Sequence, residues 1–218
     1  NVGRFMTEYG MQSFPSMSMV ESFTYEKDRS LDSDVMNAHQ KASLGTANLM
    51  KYVEDYYRMN DDFDSIVGLS QIMQAEAIRF AVEAHRRNMP YCMGTLYWQF
   101  NDCWPVISWS SIDYGGNWKA LHYAARKFFS PILVSIKDLN DKIEIHVIND
   151  QHHEVESGIR LGLFNLNGDI LFKDSSEINV EPFSSNIYGA FDKNDFLGGI
   201  DLSATVFRAE LFLSLIHI

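Results

Sequence analysis

Residues 91–100, YCMGTLYWQF, form an apolar run held between Pro90 and the polar pair Asn101-Asp102. Bounded in this way and apolar at both odd and even positions, the run reads as a strand covered on both faces, as in parallel sheets. Helical patterns flank it. Leu44 to Met59 carries Leu49, Val53 and Tyr56 at helical spacing, and Asp64 or Ser65 can cap a second helix with a stripe of Leu69, Ile72, Met73, Ala77 and Phe80. That helix is closed by Arg86, Arg87 and Asn88 ahead of Pro90, and a last helix, Ala120 to Phe129, stops at Ser130-Pro131. Upstream, RFMTEYGMQSFPS (residues 4–16) opens with a strand-like run that ends on Glu8. Strand, helices, strand, helix is the order found at the end of a β/α barrel or in an open α/β sheet. No glycine pattern for phosphate binding is present, because Gly115-Gly116 stand in the turn sequence DYGGNW, so the barrel is preferred.

The organisation changes near Ser130-Pro131. Residues 1–130 hold 12 Lys and Arg against 15 Asp and Glu, whereas 131–218 hold 6 against 14. Beyond the boundary short β-patterned runs replace helices. Ile143, Ile145 and Val147 alternate with Glu144 and His146, and Ile159, Leu161 and Leu163 alternate with Arg160 and Gly162. Asn167-Gly168 then marks a hairpin before Asp169–Lys173. The expected layout is a part barrel over 1–130 and a one-face-buried β-sandwich over 131–218. The terminal SLIHI, Ser214 to Ile218, reads as a cloning scar and is left out of the fold.

With 218 residues, 46% hydrophobic and 22% charged, the composition is that of a globular protein. A net charge of −11 repels the phosphates of nucleic acid and anionic membranes, so a neutral ligand fits better. Cys92 and Cys103 imply no disulfide framework and are expected as two buried thiols; they leave the compartment open. No apolar run reaches the roughly 18 residues of a membrane span. Asn1-Val2 lacks an initiator Met, and the chain is expected to be a piece of a longer one.

TEYGMQSFPS, SQIMQAEAIRFAVE and GTLYWQFNDCWPVISWSSIDYGGNWKALHYAARKFFSPI together resemble the end of the catalytic domain of β-mannosidases of glycoside hydrolase family 2. The likeness runs over residues 4–135 and more loosely beyond, with the four tryptophans of the last stretch as its strongest part. It implies a C-terminal portion of a (β/α)₈ TIM barrel followed by an immunoglobulin-like domain. It also implies that Glu8, at the end of the seventh strand, is the nucleophile of a retaining mechanism, and that Trp98, at the end of the eighth, lies beneath the reacting sugar. A carboxylate attacking the anomeric carbon and an indole face packed on a pyranose suit those places chemically. Gln12, Asn101 and Asp102 are weaker substrate-binding candidates near the same strand ends. Trp104, Trp109 and Trp118 wall the cleft or pack the barrel, the last two more in keeping with packing.

Retaining hydrolysis needs a second carboxyl group roughly 5–5.5 Å from the first. The family takes it from an Asn-Glu pair upstream, and this chain contains no Asn-Glu dipeptide. Glu21 and Glu76 are expected in solvated or structural roles. The substrate implied is a terminal β-D-mannose of a β-mannoside or manno-oligosaccharide, with no cofactor or metal, and with the remainder of the parent polypeptide as partner. His152-His153-Glu154 lies in a polar turn. Related enzymes acting on β-galactosides and β-glucuronides remain open, as does a non-catalytic carbohydrate-binding or scaffold module in which the tryptophans form a stacking platform.

Overall fold

A computed structural model describes residues 2–59, 62–193, 200 and 202–213; the presumed scar at 214–218 lies outside the described residues. The chain divides into two compact units, one of Phe5–Val82 with Gly94–Phe128, the other of Asn1–Arg4, Glu83–Met93 and Phe129–Ile218.

In the first unit, α1 (Met17–Phe23) and α2 (Asp34–Ala38) are each started by a serine, Ser16 and Ser33, whose side chain accepts a hydrogen bond from the backbone N–H three residues on. The longer helices are α3 (Gly45–Tyr56), α4 (Phe63–Arg87) and α5 (Ala120–Phe128). Two apolar cores meet α4. Ile66, Val67 and Met73 join Phe14, Val20, Met36, Leu49, Val53 and Ile107 in one. Ala75, Ile78 and Val82 join Leu121, Ala125 and Phe128 in the other.

The buried face of α4 is rotated from the stripe expected. Ile72 and Phe80 are exposed, while the buried line runs through Val67, Ser70, Gln74, Ile78 and Val82. Two apolar stripes coexist on this 25-residue helix, and a periodicity count passes over Ser70 and Gln74 because they are polar. Tertiary hydrogen bonds make their burial tolerable: Ser70 Oγ accepts from Phe14 N, and Gln74 Nε2 donates to Met11 O at 2.8 Å and to Ser110 O at 3.2 Å.

Residues 91–100 are extended only in part. Met6 N donates to Gly94 O, Leu96 N to Met6 O and Trp98 N to Tyr9 O, which makes a parallel pair of short segments. One face of the later segment turns inward, with Tyr97 packed on the second core beside Tyr9 and Met11. The other is open: Phe5, Leu96, Trp98 and Phe100 are half or more exposed. The expectation of cover on both faces is met on one side by the helices; nothing among the described residues covers the other.

The second unit holds two three-stranded antiparallel sheets. One has the order β1 (Ile132–Asp138), β2 (Lys142–Asn149), β5 (Ser184–Asp192); the other has the order β4 (Ile170–Val180), β3 (Val155–Asn165), β6 (Thr205–Leu213). Ile143, Ile145 and Val147 of β2 pack with Ile159, Leu161 and Leu163 of β3, which are the inward residues the alternation marks out. Between β3 and β4 the turn uses Gly168 at φ +92°, with Asn165 Oδ1 accepting from the N–H groups of Asn167 and Asp169.

Contrary to the one-face expectation, β2 is buried on both faces, Glu144 and His146 included. The end of α4 accounts for it: Arg87 Nη1 donates to Ser135 Oγ at 2.5 Å, and Ser135 Oγ donates to Glu83 Oε2 at 2.6 Å. Glu144 accepts from Lys142, Lys137 and His146, and the lysine hydrogen bonds hold its carboxyl down at about 2, from an ordinary 4.5.

A carboxyl lowered on folding contributes stability that is present above its unfolded value and is lost as pH falls through its folded one. The stability advantage of the wild type over Glu144→Gln is therefore expected to be full at pH 6 and to close between about pH 4.5 and 2. Chemical denaturation across that range checks it.

Candidate active site

Glu8 and Trp98 stand at the ends of the two parallel-paired segments. From Met6 to Tyr9 the first segment advances three residues, while from Leu96 to Trp98 the second advances two. The extra residue is a bulge at Thr7–Tyr9, a device that re-aims side chains at sheet ends. Tyr9 is turned toward the helices, its hydroxyl 2.5 Å from Thr95 Oγ1. The preceding Glu8 is exposed, as is Trp98 at 50%. Alternation puts Trp98 on the face opposite Tyr97, while the bulge leaves Glu8 exposed beside the inward Tyr9. Both inward tyrosines pack on the same core, whereas the acid and the indole are left exposed.

The approach of the two strand ends depends on Gly10. A Cβ there would stand 2.4 Å from the Trp98 carbonyl oxygen and 3.0 Å from the Trp109 ring. The Trp98–Gln99 peptide is cis.

The weaker candidates fall in different places. Gln12 is buried; its Nε2 donates to Gln40 Oε1 at 2.9 Å, and the residue lines a cavity of about 240 Å³ with Gly10, Asn48, Tyr52 and Trp109. Asn101 is exposed, and its carbonyl accepts from Gln99 Nε2 at 2.9 Å. Asp102 is buried, with Oδ1 accepting from Ser108 Oγ at 2.7 Å and Oδ2 from Ser110 Oγ at 2.5 Å. Its oxygens are thus engaged by the loop that follows Trp98. Glu8 and Trp98 are thus exposed at two paired strand ends, Gln12 lines a cavity with Gly10 and Trp109, and Asp102 is turned inward.

Of the other groups weighed from sequence, Glu76 pairs with Arg79 at 2.5 Å and Glu21 with Arg29 at 3.5 Å, all on the surface side of their helices or loops. Trp118 is 43% exposed and meets His122 and Tyr123 edge-on. His39 is stacked on Phe23 at 3.9 Å. Cys92 is buried but Cys103 is exposed, against the expectation for both, because it lies in the irregular loop after Asp102.

Sequence reasoning passed over the polar groups beneath the strand ends. Ser13 Oγ donates to Gln74 Oε1 at 2.8 Å, and Ser13 N donates to Ser108 O at 3.0 Å. Asp113 accepts from Ser16 N, Ser16 Oγ and Asn117. Lys119 is wholly buried; burial pushes its ammonium down to about 7, while the charges of Asp102 and Asp113 act in the opposite sense. The only signal for it in sequence was a lysine following an aromatic in NWKAL, which is no motif.

Known proteins match both units. Residues 141–214 match the family described as Mannosidase Ig/CBM-like domain. Goat β-mannosidase is 37% identical over 161 residues, 67% of this chain, and a β-mannosidase B of Neosartorya fischeri is 31% identical over 182, or 76%. The crystal structure of β-D-mannosidase from Dictyoglomus thermophilum superposes over 96% of this chain with a TM-score of 0.90 at 32% identity.

The chain belongs to the β-mannosidase family.

It spans 18% of the length of the goat enzyme, 22% of the fungal one and 26% of the Dictyoglomus chain. An exo-chitosanase from Amycolatopsis orientalis, at 17% identity and a TM-score of 0.72 over 96% of this chain and 27% of its own, shares the fold alone. Within the second unit, the match to the mannosidase family agrees with an immunoglobulin-like two-sheet sandwich.

Gly10→Ala tests the contact between the strand ends. The added methyl meets backbone rather than a flexible side chain, so one strand end must shift. A loss of about 1–3 kcal/mol in unfolding free energy is expected, with a changed tryptophan emission from Trp98 and Trp109.

Proposed function

We propose that this chain supplies the nucleophile and the sugar platform of a retaining exo-β-mannosidase, acting on terminal non-reducing β-D-mannose. In this reading residues 1–130 are the last part of a (β/α)₈ barrel, with the Glu8 and Trp98 segments as its seventh and eighth strands. Residues 131–218 are the immunoglobulin-like domain that follows it. The observation that carries the reading is the parallel pairing that ends on Glu8 and Trp98, in a chain related to β-mannosidases over both units. Active sites of such barrels are built from the C-terminal ends of the strands.

Chemically, the Glu8 carboxylate attacks the anomeric carbon, the bond to the leaving oxygen breaks, and a glycosyl ester forms. A second carboxyl group gives its proton to the leaving oxygen, then takes one from the water that cleaves the ester. In the family that group comes from an Asn-Glu pair, and the sequence here holds none. Trp98 offers a ring face to the C–H face of the sugar, and its negative π surface favours the passing positive charge. The exposed Phe5, Leu96 and Phe100 beside it fit a face that the other barrel strands cover.

The test is mechanism-based labelling of the full-length polypeptide with a 2-deoxy-2-fluoro-mannosyl donor, followed by peptide mapping. The label is expected on Glu8, and a label on any other residue overturns the assignment. Glu8→Gln in the same polypeptide is expected to lower turnover of an aryl β-mannoside by roughly 10³-fold or more. The 218-residue chain alone is expected to give none; turnover by the purified chain that disappears in Glu8→Gln would show that the acid lies within it.

A further inference from the structure

We propose that Lys119 is a positioning residue for this site: its buried ammonium ties the segment that follows Glu8 to the loop that follows Trp98, and so fixes nucleophile and indole relative to each other. The inference rests on the glycosidase reading above and names what holds the two strand ends in place.

Lys119 Nζ lies 3.4 Å from the carbonyl oxygen of Ser13, five residues beyond Glu8. The two carboxylates whose charges act on it are Asp102, four residues beyond Trp98, and Asp113, in the turn before α5. Each of those groups grips one of the segments. Asp102 holds the Gln99–Ser110 loop through Ser108, Ser110 and Gln99 Nε2, and Asp113 holds the start of α1 through Ser16 N and Oγ. Ser13 N in turn donates to Ser108 O, and Lys119 N donates to Ser111 O. Lys119 therefore links three backbone stretches, through its ammonium to Ser13 O and through its own N–H to Ser111 O, with the charges of Asp102 and Asp113 acting on the ammonium.

A wholly buried ammonium is expensive, and an apolar side chain of similar length would fill the same volume without that cost. What Met cannot supply is attraction toward two carboxylates and a donor to the Ser13 carbonyl. Because burial brings the group down to about 7, the tether is charged on the acid side of neutrality and lost on the alkaline side. Among the described residues, Asp102 and Asp113 are the charged groups that act on it. His122, bonded to Ser111 Oγ at 3.1 Å, is pushed below its ordinary value by burial.

The experiment uses the full-length polypeptide carrying Lys119→Met and Lys119→Arg. The fluoro-mannosyl donor first counts intact sites, so that kcat is expressed per labelled Glu8 and loss of folded enzyme does not enter. Lys119→Met is expected to lower kcat per site by about 10- to 100-fold with KM within about twofold, and Lys119→Arg to restore part of it. On the alkaline side log kcat of the wild type should fall more steeply than the acid catalyst alone dictates, until deprotonation of Lys119 has removed the same roughly 10- to 100-fold that Lys119→Met removes. Lys119→Arg, which keeps its charge, should fall with the slope of one. A Met variant with wild-type kcat per site, or an Arg variant with an unchanged alkaline slope, overturns the inference even if its melting temperature drops. A wild type that takes no label on Glu8 instead overturns the glycosidase reading, and this inference with it.

Discussion

The hydrogen bond from Trp98 N to the Tyr9 carbonyl, 2.7 Å long, is the constraint on which the arrangement of the first unit depends. It closes a short parallel pairing and absorbs the extra residue at Thr7–Tyr9, so that Tyr9 turns inward while Glu8 is left at the edge. The contact is possible because Gly10 brings no side chain against the Trp98 carbonyl.

Under the paired ends lies a buried polar layer in place of an apolar core. Gln74 bridges Met11 O and Ser110 O from α4, Asp102 collects two serine hydroxyls, and Lys119 lies between the two halves. Such groups are tolerated only when their partners are in place, which makes the network demanding about geometry. Hydrogen bonds are directional, so two hydroxyls fix the Asp102 carboxylate in orientation as well as in place. The polar layer therefore gives the strand ends definition that packing alone would not supply.

The second unit follows similar logic on a different scaffold. The alternation of β2 and β3 builds the apolar interior between the two sheets, while the far side of β2 is closed by Glu83 and Arg87 from the end of α4. Asn149 adds a fixed corner, its amide nitrogen donating to His153 O, Val180 O and Glu181 O.

Local rules accounted for much of this molecule. Helices at 45–56 and 120–128, the Asn167-Gly168 turn and the inward residues of β2 and β3 are dictated by spacing, capping and backbone preferences that act within a few residues. The stretch from Thr7 to Gly10 and the one from Tyr97 to Trp118 carry a likeness to β-mannosidases that no packing argument was needed to see. Tertiary structure alone decided which stripe of α4 is buried, that Glu144 and His146 lie inside, that Asp102 faces inward, and that Lys119 is enclosed. The physical reason is common to all four. A polar side chain becomes an interior one when donors and acceptors converge on it, from distant segments for Gln74 and Lys119 and from the same loop or hairpin for Asp102 and Glu144, and that convergence is a property of the folded backbone with no periodic trace in the sequence.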